Sequence, residues 1–327
     1  MRRPGPASTP GSAQAWLAVG LGVLGISLAG PIGSATAAPA LAVAFWRSAF
    51  GALATAPVVT LRTQGELSRL GRAAWRTSIG SGIFLALHFG MWIPSLRLTT
   101  VTVSTALVAT TPVWIVAWHL VTRVAVPRAV VAGVALALAG VLLVTGVDAA
   151  RSASALFGDL LALGGGMAGA GYTVLGERVR QTTSTGVYTL IAYATCAALV
   201  GPLCLATGNP LAGYATRTWV ELAVLTLCAQ LLGHSAFALA LPTVGATPLS
   251  LAILLEVPGA SLVAWFWLGQ RPALAVLPGA LLVVLGLAVV VRASSASSAS
   301  SARVDTSGAT LPASRDRSVH SEGPPEP

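Results

Sequence analysis

Apolar runs of about 20 residues recur along the whole of this 327-residue chain, and no other feature constrains its fold as strongly. That is the length an α-helix needs to cross a ~30 Å hydrocarbon layer. Ten runs can be traced, over about 15–35, 39–60, 78–96, 101–121, 127–147, 154–175, 185–206, 218–240, 244–267 and 273–292. Each is apolar on every face, which excludes an outer-membrane barrel, whose strands alternate in polarity. Composition agrees: only 9% of residues are charged and mean hydropathy is +0.80, against the roughly 25% charge of a soluble domain. The expected fold class is all-α, a polytopic membrane protein with ten transmembrane helices.

The runs are related in two sets of five. Adding 146 to His88, Pro112, Gly133 and Gly140 gives His234, Pro258, Gly279 and Gly286, and the register holds without a gap from residue 88 to residue 146. Pro57 and Pro202 extend the match at an offset of 145. Four units follow: an N-terminal arm over 1–14, a first five-helix repeat over 15–147, a second over 154–292, and a tail over 293–327. With an odd number of spans per repeat, the second enters the membrane from the opposite side, the inverted plan of many secondary transporters. Retention of the duplication for packing alone is the competing reading.

The arm and the tail are rich in Ser, Pro, Gly and Ala. Such segments bury too little apolar surface to offset ordering entropy, so both are expected to be disordered, with His320 a solvated residue. Arg2 and Arg3 before the first run and Ala35-Thr36-Ala37 after it imitate a signal peptide. The run is longer than a usual signal core, so it reads as the first span.

Charge sets the orientation. The basic side chains are all arginine. With the N-terminus inside, the inner loops and helix ends hold Arg2, Arg3, Arg62, Arg69, Arg72, Arg76, Arg123, Arg128, Arg178, Arg180, Arg292 and Arg303, while the outer ones hold only Arg97, Arg151, Arg217 and Arg271. Positive loops stay cytoplasmic, so both termini are expected in the cytoplasm and the protein in the cell (inner) membrane. The net charge of +9 is then a topology signal that suits anionic lipids. It does not point to nucleic acid, because no basic cluster sits among the aromatics of a binding platform.

The run LALHFGMWIPSLRLTTVTVSTALVATTPVW (85–114) resembles the third and fourth helices of the EamA-type transporters, within the drug/metabolite transporter superfamily. The run LLGHSAFALALPTVGATPLSLAILLEVPGASLVAWFWLGQ resembles their eighth and ninth helices, and the likeness extends over about 15–292. It implies a small organic metabolite or drug-like solute as cargo, moved outward, and says nothing of which solute. The family often has Glu-Pro-Val and a later Gly-Glu in this region. Here the order is Glu256-Val257-Pro258, Gln270 replaces the terminal acid, and Arg123-Val124 stand at the corresponding place in the first half. Roles attached to those end-of-helix acids therefore do not carry over, whereas Glu256 matches.

Glu256 falls near the middle of the ninth run, where an ionised carboxylate costs roughly 2.5–3.5 kcal/mol on insertion scales. Desolvation favours its neutral form. It is either a proton or cation site facing a watery cavity, or a protonated acid bonded to a neighbouring helix. His88 and His234, related by the repeat, are expected to lie symmetrically across the interface between halves, as switchable groups or as neutral hydrogen-bonding residues. The counterpart of Glu256 is Thr110, so only one half carries the carboxylate.

Arg47 lies roughly 12 Å, and Asp159 roughly 7–8 Å, along their helices from the outer ends. They are candidates for an ion pair near the outer mouth, although Arg47 can instead snorkel to the headgroups. Pro112 and Pro258, at equivalent places in the fourth and ninth runs, are expected to kink or hinge them. The GGGMAGAG stretch (164–171) and the repeated glycines allow close helix approach. Cys196, Cys204 and Cys228 read as small core residues, and His119 as interfacial.

Other classes fit less well. Gly233-His234-Ser235 offers a nucleophile and a base, but adjacent helical residues point about 100° apart. No zinc motif, nucleotide-binding loop or channel filter is recognisable, so no cofactor or metal and no enzymatic activity are expected. The partners expected are a small-molecule solute, the lipid bilayer and protons, with the chain a monomer or a homodimer. The leading function is secondary transport; a lipid translocator or a solute sensor with the same fold is the alternative.

Overall fold

The computed structural model describes residues 11–293, apart from 64, 124, 125, 272, 273, 276, 287, 290 and 291. The expected disorder of the tail falls outside the described residues, as does most of the arm. The described residues are helical, with no strand among them. Eight helices are long and apolar enough to cross a membrane, and two shorter apolar helices, Arg128–Gly140 and Leu277–Gly286, stand where the fifth and tenth spans were expected.

The first span begins earlier than expected and is divided into α1 (Ser12–Ser27) and α2 (Ala29–Ala35). After α3 (Ala40–Arg62) the arginine-rich connector forms one turn, α4 (Glu66–Arg69), and then α5 (Arg72–Leu98). The fourth run is split into α6 (Val101–Val108) and α7 (Thr111–Val121), followed by α8 (Arg128–Arg151). Two long helices follow, α9 (Ala153–Arg180) and α10 (Thr185–Ala206). The eighth run is one continuous 29-residue element made of α11 (Thr216–Leu225), a π-helical segment (Thr226–Ser235) and α12 (Ala236–Val244). The ninth comprises α13 (Ala246–Ala252), a 3₁₀ turn (Ile253–Leu255) and α14 (Glu256–Leu268), with α15 (Leu277–Gly286) last.

Local sequence explains many of the boundaries. Ser152, Ser184 and Thr100 accept from the N–H groups of Ala155, Val187 and Val103 through their hydroxyls, satisfying donors that have no intrahelical partner. Gly245 (φ 81°) and Gly269 (φ 66°) end α12 and α14 in a backbone region that side chains disfavour.

Among hydrocarbon chains there is no hydrophobic drive between helices, so small residues and polar contacts decide the packing. The glycine-rich face of α9 lies against α5 and the α6–α7 junction. A Cβ on Gly166 would come 2.7 Å from the Val108 carbonyl oxygen, and one on Gly169 would come 3.1 Å from His88 Nδ1. On α8 and α15 the glycines meet reciprocally: a Cβ at Gly140 would lie 2.5 Å from the Gly279 oxygen, and one at Gly286 2.5 Å from the Gly133 oxygen. The contacts run in opposite directions, so the two helices are antiparallel. Leu17, Leu61, Leu205 and Phe266 are exposed, as suits side chains facing lipid.

Candidate functional site

Two locally irregular helices, Val101–Trp118 and Pro248–Leu268, and the π-helical segment line one cavity. Between α6 and α7, Thr110 Oγ1 donates to the Leu107 oxygen at 2.6 Å, and Thr111 Oγ1 donates to Gly166 of α9 at 3.2 Å. Pro112 follows in the first turn of α7, where its missing N–H would have no intrahelical acceptor. The ninth run loosens at the equivalent register. A 3₁₀ turn separates α13 from α14, Glu256 is the first residue of α14, and Pro258 again lies in the first turn. Both prolines thus follow a local irregularity within one longer helix.

Glu256 is 6% exposed, and that remaining surface lines the cavity together with His88, His234, Tyr172, Thr111 and Trp92. The cavity measures about 70 Å³, room for a few waters at roughly 10–15 Å³ apiece.

The two histidines lie side by side. Their ring centroids are 6.2 Å apart with planes at 67°. His88 stacks on Trp92 at 5.8 Å and hydrogen-bonds the Gly165 carbonyl through Nδ1 at 2.8 Å. His234 is enclosed by aromatic rings, Phe89 at 5.3 Å and Tyr172 at 5.7 Å. It comes from the π-helical segment, a distortion often found at functional sites. There, α1 approaches closely: a Cβ on Gly233 would come 2.6 Å from Ile26 Cγ2, and one on Gly25 would collide with the Cys228 carbonyl.

Arg47 is 1% exposed, so it does not snorkel to the headgroups. Its Nε donates to Gln230 Oε1 at 3.0 Å, and its guanidinium lies 3.9 Å from the Phe89 ring centroid. Gln230 is held in turn: its carbonyl accepts from Tyr193 Oη at 3.1 Å, and Tyr193 also bonds Ser235 Oγ at 2.9 Å. Arg47 and Glu256 interact electrostatically.

The ion pair with Asp159 expected from sequence is not among the contacts described for Arg47, which are with Gln230 and Phe89. Asp159 is fully buried near the N-terminal end of α9, beside Gly158, whose α-carbon packs on Leu98 and Thr99. It stands apart from the cavity lining. Depth along a helix, which the sequence supplies, fixes height in the membrane but not the direction in which a side chain faces.

Sequence reading missed Gln230, Tyr172, Tyr193 and Arg180. Gln230 was detectable as a polar residue one turn before His234 in an apolar run. The tyrosines carry no such signal. Arg180, counted with the inner loops, is 2% exposed; its Nε donates to the Ala238 oxygen at 2.8 Å and its Nη1 to the Thr183 oxygen. Gln270, standing where the family often has an acid, accepts from the Val101 N–H at 3.2 Å and so links the end of α14 to the start of α6. Among the described residues, no three His, Cys, Asp or Glu side chains come together as a metal site.

Comparison with known proteins adds to this geometry. Residues 156–292 match the EamA-like transporter family. A curated protein of Archaeoglobus fulgidus, described as an uncharacterized transporter, is 27% identical over 211 residues, 63% of this chain and 72% of that protein. A solved crystal structure shares the fold with a TM-score of 0.61 at 20% identity, covering 86% of this chain and 98% of the other.

Proposed function

We propose that this multi-pass membrane transporter of the EamA type moves a small organic solute out of the cell by alternating access, with Glu256 carrying a coupling proton. The observation that carries the proposal is the cavity that Glu256, His88 and His234 line together. A site near mid-membrane is a recurrent device of secondary transporters.

Two inverted five-helix repeats making ten spans account for the arrangement best. The short apolar helices Arg128–Gly140 and Leu277–Gly286 supply the fifth and tenth spans. The reciprocal contacts Gly140–Gly279 and Gly286–Gly133 are those a two-fold axis between the halves would generate. His88 and His234, 146 residues apart, meet near the same axis. The arginine bias supports cytoplasmic termini in the cell membrane.

In this scheme the solute enters the cavity from one side and the halves rock to expose it to the other. Glu256 holds a proton in one state and releases it in the other. Arg47, fixed by Gln230 and Phe89, supplies a buried positive charge in this scheme. The protein fold and the solute interactions supply the free-energy differences; no covalent chemistry is needed. The test is a solute screen with purified protein in liposomes, with and without an imposed pH gradient. A solute accumulated only with the gradient supports coupled transport. Movement of lipid without movement of any soluble solute would replace it with lipid translocation.

A further inference from the structure

A second hollow, larger than the central one at about 380 Å³, lies between α5, α7 and α9. It shares no lining residue with the central cavity. Its floor is made of small residues, Ala170, Gly171 and Ala117, and its walls of large ones, Phe84, Trp114, Trp118 and Met167. Gly171 is what lets the wall approach: a Cβ there would come 2.5 Å from the Phe84 ring. Trp118 and Met167 are more than half exposed, so the groove opens sideways to the hydrocarbon rather than inward.

One end of the groove is charged. Arg178, in the last turn of α9, is exposed and is the charged residue of the lining. Its neighbour Glu177 is committed to the Ala246 N–H at 3.1 Å. From Met167 to Arg178 is eleven residues of α9, roughly 16 Å at 1.5 Å per residue, about half the ~30 Å hydrocarbon thickness. With α9 crossing a bilayer, this reach is about that of one acyl chain, and Arg178, in the last turn, stands at its headgroup end.

We infer that this groove binds an anionic phospholipid, one acyl chain lying over Ala170 and Gly171 and the phosphate facing Arg178. Apolar walls of this length match a chain and exclude a compact polar solute, while the exposed guanidinium matches an anionic headgroup. A basic residue near the surface favours anionic lipid by about 1 kcal/mol, a preference of roughly fivefold.

Native mass spectrometry of the full-length protein, titrated with phosphatidylglycerol or with phosphatidylcholine of the same chains, tests this without any transport measurement. The wild type is expected to retain one phosphatidylglycerol roughly fivefold more tightly than phosphatidylcholine. Arg178→Gln is expected to abolish the preference while still holding both lipids, and Ala117→Phe, which fills the groove, to weaken both. Circular dichroism and thermal melting establish that each variant is folded. Equal retention of the two lipids by the wild type, a preference that survives in Arg178→Gln, or undiminished binding in Ala117→Phe would each overturn the assignment. So would binding of glycerol phosphate alone as tightly as the whole lipid.

Discussion

The rings of His88 and His234 lie 6.2 Å apart, although 146 residues separate them in the chain. Their surroundings differ. His88 is tied to Gly165 through Nδ1, whereas His234 Nδ1 has no hydrogen-bond partner among the described residues. The two substitutions should therefore separate stability from function. His88→Ala is expected to lower the melting temperature, with about 1 kcal/mol lost for the hydrogen bond, and also to slow solute turnover. His234→Ala is expected to slow turnover with a smaller stability loss. Wild-type turnover in the double variant would assign both residues to packing.

A fixed offset in the sequence relates these histidines, but it did not say that their rings would lie side by side. The span Thr185–Ala206 was legible, since an apolar run between Ser184 and the polar loop after Thr207 has well-marked ends. The π-helical segment around Gln230 was not, because a backbone register shift leaves no mark on composition. Nor were the local irregularities before Thr111 and Glu256, which lie just ahead of the prolines expected to kink those helices. The contacts of Arg47 with Gln230 and Phe89 were not legible either, because a residue's azimuth around its helix could not be read. Glu256 was found because a carboxylate in an apolar run is costly wherever it points.

Gln230 positions Arg47, and its removal leaves a buried guanidinium with its π contact to Phe89 alone among these partners. Gln230→Leu is expected to destabilise the protein by about 1.5–3 kcal/mol, the range for hydrogen bonds to charged groups. Gln230→Glu, which keeps an acceptor and adds an opposing charge, should recover part of this. Thermal melting in detergent distinguishes the two.

The α8–α15 contact leaves no room for a methyl group. Gly140→Ala and Gly286→Ala are each expected to cost about 1–3 kcal/mol by overpacking. Gly20→Ala, with open space around its α-carbon, is expected to be neutral. Similar melting temperatures for all three would mean that the contact contributes little.

Topology is tested by reporter fusions. A reporter after Arg292 should read as cytoplasmic and one in the 207–217 loop as external, as the arginine distribution requires. The opposite pattern would reverse the proposed direction of every helix. Removal of residues 299–327 is expected to leave insertion and transport unchanged.

The most direct test of proton coupling is solute transport by Glu256→Gln in liposomes at several pH values, with and without a proton gradient. Glutamine preserves the shape of the neutral acid but cannot ionise, so the variant should insert and fold. As pH rises, the wild-type carboxyl releases its proton and its transport rate should change, whereas the variant's rate should stay flat. Downhill flux is expected to survive in the variant, and accumulation against a solute gradient to be lost. A glutamine variant that still concentrates solute, with the pH profile of the wild type, would contradict the role given to Glu256.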